Sequence, residues 1–155
     1  MYNIVMDRMD ENMHSGLFAS VSGAFAHTAG GNPTQLGPLV LAYIGDTVYD
    51  LYVRSWLVNS TKLTAHGLHM EAAKRVCAAA QAEAFRRIEP LLTADELAVY
   101  RRGRNGHMGT IPKNASIADY RSATGLEAVV GWLYLKNADE RLTALMSIIL
   151  SEDNT

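Results

Sequence analysis

Two isolated carboxylates are the residues of this sequence whose type and setting could do chemistry. Asp46 stands in the middle of LAYIGDTVYD, residues 41–50, and Glu127 is the only charged residue in SATGLEAVVGWLYL, residues 122–135. Both stretches are otherwise rich in apolar and small residues, which is typical of helices in a protein core. Because an unpaired buried carboxylate costs several kcal/mol or becomes protonated, two such acids require an explanation.

Two explanations are open from the spacing of residues around these acids. No basic residue stands four positions away from either acid, where a salt bridge within one helix would place it. The first explanation is therefore a structural salt bridge to a basic residue elsewhere in the chain. The second is a shared divalent cation, because Mg²⁺ commonly takes one or two protein carboxylates together with water and substrate phosphate. Gly45, Gly125 and Gly131 lie beside the acids and predict either close helix contact or room for a ligand.

Helices are the elements that must position these acids. Apolar residues recur at helical spacing, no convincing two-residue alternation occurs, and the fold class is predicted to be all-α. Thr93 and Glu96 form a predicted capping box at the start of one helix, and Pro90 ends the helix before it. The predicted helices cover residues 39–58, 64–88, 93–102, 116–136 and 138–150, and the glycine-rich stretch 103–114 is predicted to be a loop.

Length and composition set further bounds on the protein. A chain of 155 residues is expected to form one domain with its own core. Residues 1–37 are rich in small residues and are expected to form a weakly ordered extension. Residues 38–150 are expected to form the folded domain and residues 151–155 a tail. The single cysteine excludes an internal disulfide and fits a reducing compartment, so a cytoplasmic location is expected. No apolar run is long enough to predict a membrane span.

Charge is unevenly distributed along the chain. The net charge of −2 argues weakly against a polyanionic partner, but residues 61–113 carry nine basic and five acidic side chains. A basic segment of this kind can attract phosphates. A solvated surface explains the same charges more simply, so charge alone favours that interpretation over a phosphate-binding one.

Two stretches of sequence resemble a known family. LAYIGDTVYDLYVR resembles the signature helix of the ribonuclease III family, and YRRGRNGHMGTIPKNASIADYRSATGLEAVVGWLYL resembles the loop and second helix of its minimal form, Mini-ribonuclease III. That form lacks a separate double-stranded-RNA-binding domain. The resemblance covers about residues 39–136. Longer ribonuclease III enzymes carry two more carboxylates, at positions that hold Ala42 and Thr124 here, and the minimal form shares this reduced set.

The resemblance implies a function and a set of site residues. It implies an all-α, ribonuclease III-type helical bundle that acts as a homodimer and uses Mg²⁺ to hydrolyse double-stranded RNA, with 23S ribosomal RNA precursors as substrates. By position, Asp46 and Glu127 correspond to the family's catalytic, metal-binding acids. The candidate RNA-binding residues lie in or beside the predicted loop and are Arg101, Arg102, Arg104, Asn105, Lys113 and Asn114.

Two other classes of function stay open. The first is a ribonuclease III-like module that binds RNA or serves as a scaffold without cleaving; loss of an acid would indicate it, and both acids are present. The second is a purely structural helical dimer, which leaves the two acids unexplained. The nearly all-round apolar character of residues 39–58 favours a partner surface in either case.

Overall fold

The computed structural model describes residues 31–106, 109–111, 113–114 and 116–151, and positions 16, 17, 20, 21, 24 and 25 before them. Within these ranges the fold is all-α, as predicted, and contains no strand. No helix in the described part is both long enough and apolar enough to cross a membrane. The α-helices from residue 31 onward are α1 (Pro38–Ser60), α2 (Ala65–Val76), α3 (Ala78–Ile88), α4 (Ala94–Arg104), α5 (Ile117–Leu135) and α6 (Asp139–Ser151).

The prediction of one continuous helix over residues 64–88 is wrong. Cys77 has an extended backbone (φ −67°, ψ 156°) and separates α2 from α3. The break lets α2 pack mainly against α1 while α3 packs against α5. One straight helix would not follow both neighbours, so tertiary packing overrides the high helix propensity of this alanine-rich segment.

Helix α4 begins as predicted and ends slightly later. The Thr93 hydroxyl accepts a hydrogen bond from the Glu96 backbone N–H, and the Glu96 carboxylate accepts one from the Thr93 N–H, which completes the capping box. The helix continues to Arg104, so the first residues of the predicted loop are helical.

The centre of the fold is the crossing of α1 and α5, where glycines bring the two backbones into contact. A Cβ atom at Gly45 would lie 1.7 Å from the Glu127 carbonyl oxygen, and one at Gly131 would lie 2.0 Å from the Leu41 carbonyl oxygen. These positions therefore serve close helix contact, one of the two roles predicted for them.

Residues 31–37 are attached to the helical domain. They contain a 3-10 helix, Pro33–Gln35. The Arg102 guanidinium donates to the backbone carbonyls of Thr34 and Leu36, at 3.0 and 2.9 Å. The Trp132 indole N–H donates to the Thr34 hydroxyl at 3.1 Å. Most of the predicted extension before residue 31, and residues 152–155 of the predicted tail, lie outside the described residues.

Candidate active site

The crossing of α1 and α5 brings the two acids together. Asp46 follows Gly45 on α1, and Gly45 contacts the backbone of Glu127 on α5. As a result Asp46 and Glu127 line the same cleft and lie close enough for the negative charge of Asp46 to act on Glu127. Asp46 and Glu127 are 81 positions apart in sequence, and the packing of the α1 and α5 backbones brings them close together in the fold.

The two carboxyl groups differ in exposure. Asp46 is exposed, which corrects the expectation that both acids are buried, whereas Glu127 is partly buried. The apolar sequence around Asp46 predicts a core helix, but part of that apolar surface faces outward. The burial argument therefore applies to Glu127, and its neighbour Asp46 faces solvent.

Glu127 has a perturbed titration. Burial and, next, the negative charge of Asp46 raise the pKa of Glu127 from 4.5 to about 7, while a hydrogen bond from Gln81 acts in the opposite direction. Both causes disfavour the charged form. A bound cation would remove this cost by compensating the two negative charges.

The raised pKa gives a testable dependence of stability on pH. In metal-free protein the folded state holds a proton on Glu127 between pH 4.5 and about 7, where the unfolded state has lost it. Folding stability from this group is therefore highest below pH 4.5 and declines as pH rises to about 7, by up to about 3 kcal/mol. Urea unfolding with EDTA at pH 5 and pH 8 should show a smaller loss in Glu127→Gln than in wild type. Equal losses of stability in the two proteins would contradict the raised pKa of Glu127. The control is Glu140→Gln, at an exposed site.

The acids face a cleft between α1, α5 and the loop after α4. Its volume is about 420 Å³. Ala42 and Thr124 both line it, so the two positions that carry further carboxylates in longer relatives are adjacent to the acids here. The lining residues are Leu39, Ala42, Tyr43, Ile44, Asp46, Thr47, Gly109, Tyr120, Thr124 and Glu127.

The structure argues against a salt bridge as the explanation for the two acids. Among the described residues, no basic side chain forms an ion pair with Asp46 or Glu127, whereas buried Glu96 has one with Arg141 at 2.8 Å. Two carboxylates without a cation suit a hard divalent metal with oxygen ligands. No cluster of three or more His, Cys, Asp or Glu occurs in the described ranges, so water and substrate would supply the other ligands of such an ion.

Sequence reasoning missed a third polar side chain at this site. Gln81 on α3 is 1% exposed, and its Nε2 donates to Glu127 Oε1 at 3.2 Å. The available signal was a polar residue on the apolar face of α3, since Gln81 shares helical spacing with buried Ala84, Phe85 and Ile88.

The predicted RNA-binding residues lie in the last turn of α4 and in the segment that follows it, and none of them lines the cleft. Gly109, in the loop that follows α4, lines the cleft with the acids. Arg101, Arg104, Lys113 and Asn114 are exposed. Arg104 lies over the Tyr100 ring, 5.7 Å from its centroid, and donates to the Asn105 side-chain oxygen at 3.3 Å. Arg102 differs from the others because its guanidinium is engaged by Thr34 and Leu36.

Comparison with known proteins identifies the class. Residues 39–138 match the Ribonuclease III domain family. A crystal structure of a Fusobacterium nucleatum protein has the same fold, with a TM-score of 0.71 at 24% identity over 77% of this chain and 95% of that one. The chain therefore belongs to the ribonuclease III family, whose members are endoribonucleases.

Within this family the chain is similar to Mini-ribonuclease 3 proteins, which confirms the resemblance seen in the sequence. The Clostridium tetani protein is 46% identical over 76% of this chain and 78% of its own length. The Thermoanaerobacter sp. protein is 46% identical over 74% of this chain and 80% of its own, and the Staphylococcus aureus protein is 39% identical over 75% and 88%.

Proposed function

We propose that this protein is a Mg²⁺-dependent endonuclease for double-stranded RNA, that it trims 23S ribosomal RNA precursors, and that it works as a homodimer in the cytoplasm. One observation carries the metal-dependent chemistry: in a ribonuclease III domain, Asp46 and Glu127 meet at a cleft with no basic partner among the described residues. The substrate is proposed from the similarity to Mini-ribonuclease 3 proteins.

The two acids would hold the metal ion through their carboxylate oxygens. Bound Mg²⁺ would supply an activated water molecule and stabilise negative charge on the phosphate oxygens. The chain itself sets the position of the acids through the glycine contacts of α1 and α5. Asp46 lines the cleft and is exposed to solvent, so a large substrate can approach it.

Double-stranded RNA suits the exposed cations of α4 and of the loop that follows it. A-form RNA has a wide, shallow minor groove that proteins recognise by its shape, its 2′-hydroxyls and its phosphates. Exposed Arg101 and Arg104, together with Lys113 in the following loop, provide positive charge for phosphate contacts. This arrangement favours recognition of a duplex with little reading of base sequence.

The test is cleavage of a structured duplex RNA by the purified protein with Mg²⁺, beside an EDTA control and a duplex DNA of the same sequence. We expect Mg²⁺-dependent cuts in both RNA strands and none in DNA. Binding without cleavage would instead support a scaffold module. Equal cleavage of DNA would contradict the proposed substrate, and cleavage that survives EDTA would contradict the metal. Precursor and mature 23S stems compared in the same assay test the proposed natural substrate.

The exposed cations of α4 and of the loop that follows it are predicted to govern RNA affinity. Changing Arg101, Arg104 and Lys113 together to glutamine should weaken duplex binding and flatten its salt dependence. Each lost phosphate contact should lower the log–log slope by about 0.7 to 0.9. Arg102 is left unchanged because its substitution would also release residues 31–37 from the domain.

A matched control separates local contacts from overall charge. Lys62, Lys74 and Arg86 are also exposed, and changing them to glutamine removes the same charge elsewhere. Filter binding at several salt concentrations gives the slopes. If the log–log slope of RNA affinity against salt falls equally in both triple variants, Arg101, Arg104 and Lys113 do not form the RNA site. At saturating RNA the first variant should still cleave, because Asp46 and Glu127 are intact.

A second copy of the chain is the proposed occupant of an exposed apolar stripe on α1. The stripe follows helical spacing along Val40, Tyr43, Leu51 and Val58, which are 54%, 82%, 43% and 62% exposed. Tyr43 also lines the cleft, so a partner on this stripe would adjoin the acids. Cutting both strands of a duplex needs two sites, which a two-fold dimer provides.

The dimer prediction concerns the state in solution. Sedimentation at micromolar concentration should give a species near twice 16.9 kDa. Changing Val58 to glutamate should shift the protein toward the monomer because a charge would enter the interface, whereas Leu91→Glu, at an exposed site outside the stripe, should not. A wild-type protein that sediments only as a monomer would overturn the prediction.

A further inference from the structure

Gln81 is one of three buried polar side chains in the described part of the chain. The other two are satisfied by partners of ordinary structural kind: Glu96 pairs with Arg141, and the Thr124 hydroxyl donates to the Tyr120 carbonyl of its own helix. Gln81 instead reaches from α3 to the carboxylate of Glu127 on α5. A buried amide requires such partners because burying it without hydrogen bonds is costly.

The orientation of the Gln81 amide is fixed by its two neighbours. Nε2 donates to Glu127 Oε1 and to the Val76 carbonyl oxygen, both at 3.2 Å. Both partners accept hydrogen bonds, so an amide turned by 180° would place its oxygen against two oxygens. Val76 is the last residue of α2, which means that the helix break at Cys77 leaves this carbonyl available to hold the amide.

Stability alone does not account for a glutamine at this position. Its Oε1 is buried and has no hydrogen-bond partner among the described atoms. An unsatisfied buried acceptor costs free energy, and an apolar residue of similar size would avoid that cost. Gln81 carries this penalty and donates to a candidate metal ligand. Its presence is therefore better explained by a role at the candidate metal site than by packing in the core.

We propose that Gln81 is a positioning residue for the metal site: its amide holds Glu127 Oε1 and leaves Oε2 for the cation shared with Asp46. This inference rests on the proposed metal-dependent function. Side chains that orient metal ligands in this way typically change metal affinity or activity about 10- to 100-fold when they are replaced. The role is indirect, since Gln81 acts through the carboxylate of Glu127.

The test measures Mg²⁺ binding to the RNA-free protein by calorimetry, together with kinetics on duplex RNA. Gln81→Met and Gln81→Leu place an apolar side chain of similar size at the buried position and remove the hydrogen-bond donor. We expect Mg²⁺ affinity to fall by about tenfold or more. Activity should be lost at low Mg²⁺ and recovered in part at high Mg²⁺, with KM for RNA unchanged at saturating metal.

The control is Tyr100→Phe, which removes a 3.0 Å hydrogen bond to the Ser122 hydroxyl between α4 and α5 and should leave Mg²⁺ affinity unchanged. If wild type binds Mg²⁺ and both Gln81 variants bind it equally well, the positioning role is wrong while the proposed function stands. If cleavage of duplex RNA by wild type does not depend on Mg²⁺, the proposed function fails and the role of Gln81 fails with it. Thermal unfolding shows whether the variants are folded.

Discussion

Glu127→Gln and Asp46→Asn are each expected to abolish RNA cleavage while leaving the domain folded and able to bind RNA. Each change keeps the shape of the side chain and removes the charge that would hold the metal ion. A bound metal contributes several kcal/mol to transition-state stabilisation, so the rate should fall by at least about a thousandfold. Neither acid has a basic partner among the described residues, and so no ion pair is broken by the substitution.

Three measurements are needed to interpret this result. Single-turnover cleavage reports the chemistry, a gel-shift assay reports RNA binding, and thermal melting reports the fold. Glu140→Gln, on exposed surface, serves as the charge control and should behave as wild type. If either site variant retains near-normal turnover, that acid is not a metal ligand and the proposed mechanism is wrong.

Gly45→Ala is expected to have the largest effect on stability of any single methyl addition at the site. The new Cβ would overlap the Glu127 carbonyl oxygen, 1.7 Å away, and backbone atoms on both sides cannot move aside as a flexible side chain would. Helices α1 and α5 would have to separate, which should lower the free energy of unfolding by more than about 4 kcal/mol. Many small domains have little more stability than this.

The crossing of α1 and α5 offers its own controls. Gly131→Ala should act like Gly45→Ala, because its Cβ would lie 2.0 Å from the Leu41 carbonyl oxygen. At Gly37 the nearest atom to an added Cβ is the Val40 Cγ2, at an ordinary 3.9 Å, so Gly37→Ala should be nearly neutral. Chemical denaturation of the three variants measures the effect. A well-folded Gly45→Ala protein with wild-type stability would show that the helices are not held in backbone contact.

The sequence predicted the helices well and their environment less well. Long apolar periods and the Thr93 capping box identified the helices because these signals are local. The break at Cys77 could not be seen, since it arises from the packing of α2 and α3 on different neighbours. The exposure of Asp46 could not be predicted either, because an apolar helix face has the same sequence pattern whether it lies in a core or on an exposed surface.

The candidate site was predictable in part for the same reason. The lone acids were visible because charge stands out on apolar helices, and glycines beside them indicated the close contact. Gln81 was hidden because a glutamine within an alanine-rich helix is ordinary on the surface, and only its burial shows that it faces Glu127. The contact of Arg102 with residues 34 and 36 joins segments 66 or more positions apart, a distance over which local patterns carry no information.

The break between α2 and α3 also gives the protein a natural attachment point for a spectroscopic probe. Cys77 is the only cysteine of the chain and its side chain is exposed. A maleimide dye or a nitroxide would therefore attach at one known place without any mutation. That place is four residues from Gln81, on the same helical junction whose Val76 carbonyl holds the amide. Fluorescence or line shape at Cys77 can then follow, in real time, how the junction of α2 and α3 responds when the cation and the RNA bind.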